Sequence, residues 1–414
     1  MTKKILTRTV YLVSFVSLFT DVASEMLYPI MPVYLKSIGF SVLLIGILEG
    51  VAEATAGVSK GYFGHLSDRM GKRVPFIKAG YSLSAISKPM MAVLTFPIWI
   101  FFARTLDRFG KGIRTSARDA LLSDETTPEH KGKVFGFHRS MDTIGAAIGP
   151  ILALIFLYFY PGQYKWMFII AFFPGVIAIG LTFFLTEKVT ESQSHKVTES
   201  KMPLNNQSPN LQISKSLNPG FFSYLKYWSR ASSGFRFLVA GLLAFTLFNS
   251  SDAFLLLAIK EQNLSDTWMI GVYIFYNLVY ALFSYPIGVL ADKIGLKTMM
   301  IIGLFIFAGV YTFMGFASSL AVFLLLFFFY GIYAACTEGI SKALISNMAE
   351  KKDTATALGF YNSFASICTL LASSLAGFLW FAIGPKAMFM ISGAGVFLVV
   401  CYLLFVFRSR VARI

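Results

Sequence analysis

The sequence predicts an all-α polytopic membrane protein, with twelve transmembrane helices in two pseudo-symmetric six-helix bundles. Three observations carry this expectation. The 414 residues are 56% hydrophobic and only 14% charged, with a mean hydropathy of +0.67, whereas a soluble chain averages about 25% charged. Twelve apolar segments are about 20 residues or longer, each enough to cross about 30 Å of hydrocarbon. A charged sequence also recurs at an interval of 224 residues, so one half of the chain repeats the plan of the other.

The segments span 9–35, 43–66, 74–95, 97–122, 134–160, 164–186, 235–260, 267–291, 297–317, 319–346, 355–382 and 385–407. The first begins like a signal peptide, basic and then apolar. Its apolar run continues into Asp21 and Glu25 without a small-residue cleavage site, so it reads as an uncleaved first helix. The formal charge of +15 would suit nucleic acid, but its placement argues for a membrane instead. Lys3, Lys4 and Arg8 precede the first span, and Arg69, Lys72 and Arg73 follow the second. Lys131 and Lys133 follow the fourth, Lys293 and Lys297 the eighth, Lys351 and Lys352 the tenth, and Arg408, Arg410 and Arg413 the last. The alternate loops hold single lysines, Lys36, Lys165, Lys260 and Lys386. Positive loops stay cytoplasmic. The expected location is therefore the cell membrane, multi-pass, with both termini cytoplasmic; the lipid bilayer is a partner and nucleic acid is not.

The repeat sets the domain plan. Gly64-His-Leu-Ser-Asp68-Arg-Met-Gly71-Lys-Arg73 recurs as Gly288-Val-Leu-Ala-Asp292-Lys-Ile-Gly295-Leu-Lys297. Further on, Ala120-Leu121 and Ala343-Leu344, then Gly136-Phe137 and Gly359-Phe360, recur at 223, which leaves one deletion over about 110 residues. The expected units are an N-terminal bundle (1–186), a cytoplasmic polar linker rich in Ser, Thr, Asn, Gln and Lys (187–234), and a C-terminal bundle (235–414). Two such halves place a substrate path at their interface, near the membrane midplane.

The fourth span carries the densest charge. At 100° per residue, Arg104, Asp107, Arg108, Lys111, Arg114 and Arg118 fall within an arc of about 120°. A charge facing lipid at the bilayer centre costs about 2.5–3.5 kcal/mol, so this face must look inward, at partners or at water. The expectation divides it in two. Arg104 and Arg108 lie beside the path, partly neutralised by Asp107, for coupling or anion binding. Arg114, Arg118 and Asp119 lie near the cytoplasmic surface, gating against Asp68.

At Gly64–Arg73 the chain resembles the loop between helices two and three of the major facilitator superfamily, and the weaker copy at 288–297 sits where that family repeats it. The resemblance covers the whole chain. It implies a cytoplasmic gate at Gly64, Asp68, Arg69, Gly71, Lys72 and Arg73, with Asp292 and Gly295 in the second copy. Glycine lets the turn approach neighbouring helices, and Asp68 can meet basic groups or a helix N-terminus. Ala103-Arg104 with Gly110 and Gly112 is similar to the family's fourth-helix motif, although Arg108 and Lys111 depart from it. On the fifth span, Gly145-Ala-Ala-Ile-Gly149-Pro150 resembles the motif of drug:proton antiporters, and the second half has Ala372-Ser373 at the equivalent place. Its small residues permit close packing, and Pro150 frees a backbone carbonyl.

Asp21 and Glu25 lie four residues apart on the first span, followed by Pro29 and Pro32; Glu49 and Glu53 repeat that spacing on the second. Burial in hydrocarbon favours the protonated form of a carboxyl. Asp21, Glu25, Glu49 and Glu53, with Arg104, are therefore the proton-coupling candidates. The competing expectation is that some of these acids are locked to Arg104, Arg108, Arg139 or Lys88. Substrate-path candidates are Arg108, Arg139, Asp142, Asn249, Asp252, Tyr273, Asn277 and Glu338. Glu338 and Lys342 are spaced to pair within one helix. The first half is expected to handle charge, and the second to supply more of an apolar wall from Phe-rich stretches such as Leu324–Tyr330. His138 reads as an interfacial residue. His65, His130 and His195 lie in loops.

No cofactor is expected. The sequence has no Walker lysine motif GxxxxGK[ST] and no His, Cys and carboxylate set with metal-ligand spacing, and Cys336, Cys368 and Cys401 sit singly within spans. These readings converge on a monomeric secondary transporter working by alternating access, most simply proton-coupled efflux of a small organic molecule. The first alternative is an organic-anion, phosphorylated-metabolite or siderophore carrier; it requires Arg104 and Arg108 to face the path unpaired. A membrane sensor would call for a signalling domain that the 48-residue linker does not resemble, and an enzyme would call for a catalytic constellation.

Overall fold

The structure is a computed structural model. It describes residues 5–28, 30–187, 220–262, 264 and 266–408. Lys3, Lys4, Pro29, His195, residues 188–219 of the polar segment, Arg410 and Arg413 lie outside the described residues. Among the described residues, every regular element is a helix. The first half contains α1 (Arg8–Glu25), α2 (Met31–Ser37), α3 (Val42–Met70), α4 (Val74–Val93), α5 (Pro97–Asp124), α6 (Lys131–Phe159) and α7 (Tyr164–Thr182). After the one-turn α8 (Tyr227–Arg230), the second half contains α9 (Ser233–Phe248), α10 (Asp252–Glu261), α11 (Asp266–Ile294), α12 (Leu296–Met314), α13 (Leu320–Met348), α14 (Thr354–Ile383) and α15 (Pro385–Arg408). The bounds of α3 and α11 differ by the same 224 residues at both ends, so the sequence repeat is a repeat of helices.

Among the described residues, eight spans are long and apolar enough to cross a membrane on those grounds alone, and they run from α6 to α15. The other four predicted spans coincide with α1–α2, α3, α4 and α5, whose apolar runs are interrupted by charge. The predicted first and seventh spans are each broken. The first is interrupted between Glu25 and Met31, and the seventh at Asn249–Ser251, where the Ser251 side chain caps α10. The two breaks stand at equivalent places in the repeat. Prolines near Pro29 signal the first break. The second, without proline, rests on Asn249-Ser-Ser-Asp252, polar side chains that compete with the helix for backbone bonds.

Charge also divides the core. The first half has two apolar clusters, one around Phe76, Tyr81 and Leu122 and another around Tyr34, Met91 and Phe168. The second half has one continuous cluster, in which Phe307 stacks on Tyr311 with ring centroids 4.0 Å apart. Leu324–Tyr330 belongs to this core or to the outer surface. Phe327 and Tyr330 are buried, and Leu325 and Phe329 are exposed.

One face of the molecule gathers the basic helix ends. Thr7 at the start of α1 donates to Glu125 beyond α5, and Arg73 after α3 reaches Asp124 at the end of α5. Two seams join the halves on this side. Along the first, α3 meets α14 from Gly57 to Asp68; along the second, α6 meets α11 from Gly132 to Ser140. The approach is close enough that a Cβ on Gly288 would stand 2.3 Å from the Gly132 carbonyl oxygen, and one on Gly64 would stand 2.4 Å from that of Ala355. Both obstacles are backbone and cannot swing aside. Gly288→Ala is therefore expected to push α6 and α11 apart and to destabilise the closed seam by about 1–3 kcal/mol, the usual cost of overpacking. Equilibrium unfolding of the purified variant checks this, and an unchanged midpoint would mean that the seam is looser than described.

Candidate functional site

The region predicted as a loop at Gly64–Arg73 is helical as far as Met70, and Gly71 ends α3 in the left-handed region at φ 63°. This extension carries Asp68 to the start of α14. Its carboxylate accepts from the backbone N–H of Ala355 (3.2 Å) and of Thr356, and from the Thr356 hydroxyl (2.6 Å), and it pairs with Arg73. The repeat performs the same act in reverse. Asp292, near the end of α11, accepts from the N–H groups of Gly132 (2.8 Å) and Lys133 (2.9 Å) at the start of α6. Each half thus caps a helix of the other, satisfying N–H groups that a helix leaves free and placing an anion at its positive end. Gly295 follows α11 at φ 97°, as Gly71 follows α3. Arg69 and Lys72 have no described ion pair.

Between the seams and the far face, the halves enclose a cavity of about 340 Å³. Its acids are Asp21, Glu25, Asp142 and Glu338, and its bases are Lys60, Lys111, Arg114, Arg118, Arg139 and Lys342. The second half contributes Tyr273, Asn277, Tyr280 and Asn362 besides, so its wall is polar rather than apolar. A smaller space of about 170 Å³ adjoins it through Glu338, Lys342 and Asn362 and is lined by Asn249, whose amide donates to the Tyr333 hydroxyl at 3.2 Å. Of the predicted path residues, Arg139, Asp142, Tyr273, Asn277 and Glu338 meet in the larger cavity and Asn249 in the smaller. Arg108 and Asp252 line neither; Asp252 accepts from the Tyr330 hydroxyl at 2.7 Å.

The ion pairs sort the predicted coupling set. Arg104 grips Glu49 with two parallel bonds, Nε to Oε1 at 2.8 Å and Nη2 to Oε2 at 2.9 Å. Arg108 lies 3.1 Å from Glu53, and Asp107 is 3.5 Å from both Arg104 and Lys88. Glu49, Glu53 and Arg104 are therefore mutually neutralised, as the competing expectation allowed. Asp21 and Glu25 differ. Among the described residues neither has a cation within 4.0 Å, and the Asp21 carboxyl faces that of Asp142. Both sit where α1 packs on the Gly145–Pro150 motif. A Cβ on Gly145 would meet the Leu18 carbonyl oxygen at 2.4 Å and the Asp21 Cβ at 3.0 Å, and one on Gly149 would meet the Met26 nitrogen at 2.7 Å. Pro150 lies inside α6 and leaves the Ala146 carbonyl without its helical partner, and Ala146 lines the cavity.

Arg118 and Asp119 are not beside Asp68. Arg118 donates to Asp119 and to the Ser17 hydroxyl, each at 3.0 Å, and Asp119 holds Lys342 of α13 at 2.9 Å. Arg114 stacks on the Tyr81 ring at 4.5 Å. These residues lie about one and a half to three turns before the end of α5, and their side chains are committed to Tyr81, Ser17 and α13 rather than to Asp68. The expected pairing of Glu338 with Lys342 is also replaced. Glu338 binds Arg139 at 2.9 Å, and Arg139 further bonds Asp142 (2.7 Å) and the Tyr280 hydroxyl. Each of the two found a partner across the interface, where α5, α6 and α13 converge. His138 is buried, 2% exposed, rather than interfacial, because α6 begins at Lys131, two turns earlier. Lys60 and Asn362 carry no mark in the sequence, and Lys111 is named there only within the α5 stripe, without a place in the path.

Two six-helix halves, a repeat that exchanges helix caps, and a charged cavity between them define a membrane transporter of the two-bundle class. A sequence model of the Major Facilitator Superfamily matches residues 13–277 and 263–413, and the chain belongs to that family. It is similar to an MFS-type transporter of Methanocaldococcus jannaschii, with 32% identity over 389 residues that cover 93% of this chain and 91% of the other. Its fold is similar to that of the human organic anion transporter MFSD10 (TETRAN), with a TM-score of 0.73, 16% identity, and 96% and 99% of the two chains covered. It is also similar to that of the proton:xylose symporter XylE, with a TM-score of 0.70, 16% identity, and 96% and 94% covered. The protein is a multi-pass membrane transporter of a small molecule, and these relatives are transporters rather than enzymes.

Proposed function

We propose that this protein is a proton-coupled secondary transporter that exports a small organic molecule by alternating access. The observation that carries the reading is the contrast between the two pairs of acids. Glu49 and Glu53 are tied to arginine, whereas Asp21 and Glu25 face the cavity with no cation within 4.0 Å among the described residues. Free carboxyls at membrane depth can take up and release a proton as the cavity changes sides. The packing of α1 on the Gly145–Pro150 motif supports export, since that motif resembles the one in drug:proton antiporters. The basic face is the cytoplasmic one, and in the state described it is closed by the two caps. Residues 1–186 and 235–414 rock against each other, 187–234 tethers them, and one chain holds the whole pathway in the cell membrane.

In proteoliposomes with an imposed pH gradient, Asp21→Asn and Glu25→Gln are each expected to reduce gradient-driven transport to about a tenth or less, while exchange without a gradient persists. Full gradient-driven transport in both variants, with unaltered pH dependence, would defeat the coupling assignment. The anion-carrier alternative in its arginine form loses support, since Arg104 and Arg108 are neutralised by Glu49, Glu53 and Asp107.

A further inference from the structure

Most cations in the central layer have a carboxylate within 4.0 Å. Arg104, Arg108, Arg118, Arg139 and Lys342 all do, and so does the fully buried Lys88. Lys60 and Lys111 are the exceptions among the cavity lysines. Among the described residues no acid lies within that distance of either. Lys111 is solvent-exposed inside the cavity, and the Lys60 ammonium has a single neutral partner, the Ser366 hydroxyl at 3.3 Å. The two lysines come from neighbouring elements. Gly112 on α5 packs so closely on α3 that a Cβ there would meet the Ser59 Cβ at 2.5 Å, and Ser116 on α5 donates to the Lys60 carbonyl at 2.9 Å.

A third donor completes the group from the other half. Asn362 lies one turn before Ser366 on α14, its carbonyl accepts from the Ser366 hydroxyl at 2.9 Å, and it lines the same cavity. Its side-chain Nδ2 is buried without a hydrogen-bond partner. A buried, unused N–H costs about 1–3 kcal/mol unless something binds it, and two ammonium groups with no carboxylate in direct contact attract an anion that can reach both. We infer that Lys60, Lys111 and Asn362 form the site that binds a negatively charged group of the substrate, a carboxylate or a phosphate. This rests on the transport reading above and names the substrate class. Because Lys60 and Lys111 stand in one half and Asn362 in the other, an anion bound there contacts both halves, and its binding energy depends on how they are apposed.

The test uses the purified full chain in detergent at low ionic strength and four probes that share one ring: benzoate, phenyl phosphate, benzamide and benzylamine. Thermal stabilisation is followed by probe titration. Benzoate, phenyl phosphate or both are expected to stabilise the protein saturably, benzamide and benzylamine are not, and whichever anion is the stronger identifies the class. Lys60→Gln and Lys111→Gln are expected to weaken the response about tenfold or more. Arg at either position should retain much of it, and the exposed Lys36→Gln should leave it intact. Stabilisation by benzamide equal to that by benzoate, a preference for benzylamine, or no response to any probe would overturn the assignment. So would an undiminished response in both Gln variants, and an equal response to chloride at matched ionic strength would show a counter-ion site only. Proton flux in liposomes is a separate readout, so absence of substrate-driven proton flux in the unmutated protein, with charge selectivity intact, would sink the proton-coupled export reading and leave this site standing.

Discussion

Asp119→Asn is expected to be among the most damaging single-atom changes in this chain, costing about 3–5 kcal/mol of stability. The Asp119 side chain is fully buried, and each of its oxygens is committed. Oδ1 receives Arg118 through Nε at 3.0 Å and lies 2.9 Å from Nη2, and the Lys342 ammonium stands 2.9 Å from Oδ2 as an ion pair. Removing the negative charge leaves the buried Arg118 and the cavity-lining Lys342 both facing a neutral amide. Arg118 keeps Ser17 and a long approach to Asp142 at 4.0 Å, but no other acid lies within 4.0 Å of Lys342 among the described residues. The position also explains why the pair exists. At the 223-residue offset, Asp119 and Lys342 are equivalent residues of the two halves, so they meet where the repeat faces itself. Had the copies stayed identical there, like charges would oppose each other; opposite charges turn that point into a bond between bundles. In a double-mutant cycle with Lys342→Gln, the two changes together should cost less than their sum by about 0.5–3 kcal/mol, the range for residues in contact. Reversible unfolding in mixed detergent micelles measures both quantities. Strict additivity, or an Asp119→Asn variant as stable as the parent, would mean that the bond contributes little.

The repeat made much of this architecture legible in advance. The apolar segments gave the number of spans, the repeat gave the equivalence of α3 with α11, and of the two partners open to Asp68, basic groups or a helix N-terminus, the structure has both. The inward aim of the α5 stripe also followed from the cost of charge in lipid alone. Pairing did not follow. Asp21 with Glu25 and Glu49 with Glu53 look alike in sequence, two acids four apart on an apolar helix. Their fates differ because α3 lies along the charged face of α5 while α1 lies along the glycines of α6, which is a fact about neighbours. For the same reason the i, i+4 spacing of Glu338 and Lys342 misled, since spacing within a helix says what can pair and not what else is closer. The break at Asn249–Ser251 was hidden for a different reason. Ser and Asn are tolerated in membrane helices, and only the capping bond from Ala253 to the Ser251 hydroxyl reveals that the helix restarts there.

Asp68→Asn is expected to release the closed face, and more so than Asp292→Asn. The two residues make equivalent caps, but their surroundings differ. Asp68 accepts from two backbone N–H groups and one hydroxyl of α14 and also neutralises Arg73, which is buried beside it. Asp292 accepts from two N–H groups of α6 and has no cation partner within 4.0 Å among the described residues. An amide in either place retains one accepting oxygen and loses the charge that favours the helix N-terminus. At position 68 it also leaves the Arg73 guanidinium with Asp124, at 3.5 Å, as its one carboxylate among the described residues, beside the neutral Ser67 hydroxyl. A loss of about 1–2 kcal/mol shifts a two-state balance roughly 5- to 30-fold. A reporter cysteine at Ser284, which is 1% exposed and backs the α6–α11 seam, reads this shift once Cys336, Cys368 and Cys401 are replaced. Its reaction with a water-soluble maleimide should quicken about tenfold in Asp68→Asn and less in Asp292→Asn. The double variant should exceed either, because opening the face requires both caps to break together. If Ser284→Cys reacts equally slowly in all three backgrounds, the caps order the helix ends without holding the halves closed, and the gate lies in the Asp119 and Arg139 bonds deeper in the seam.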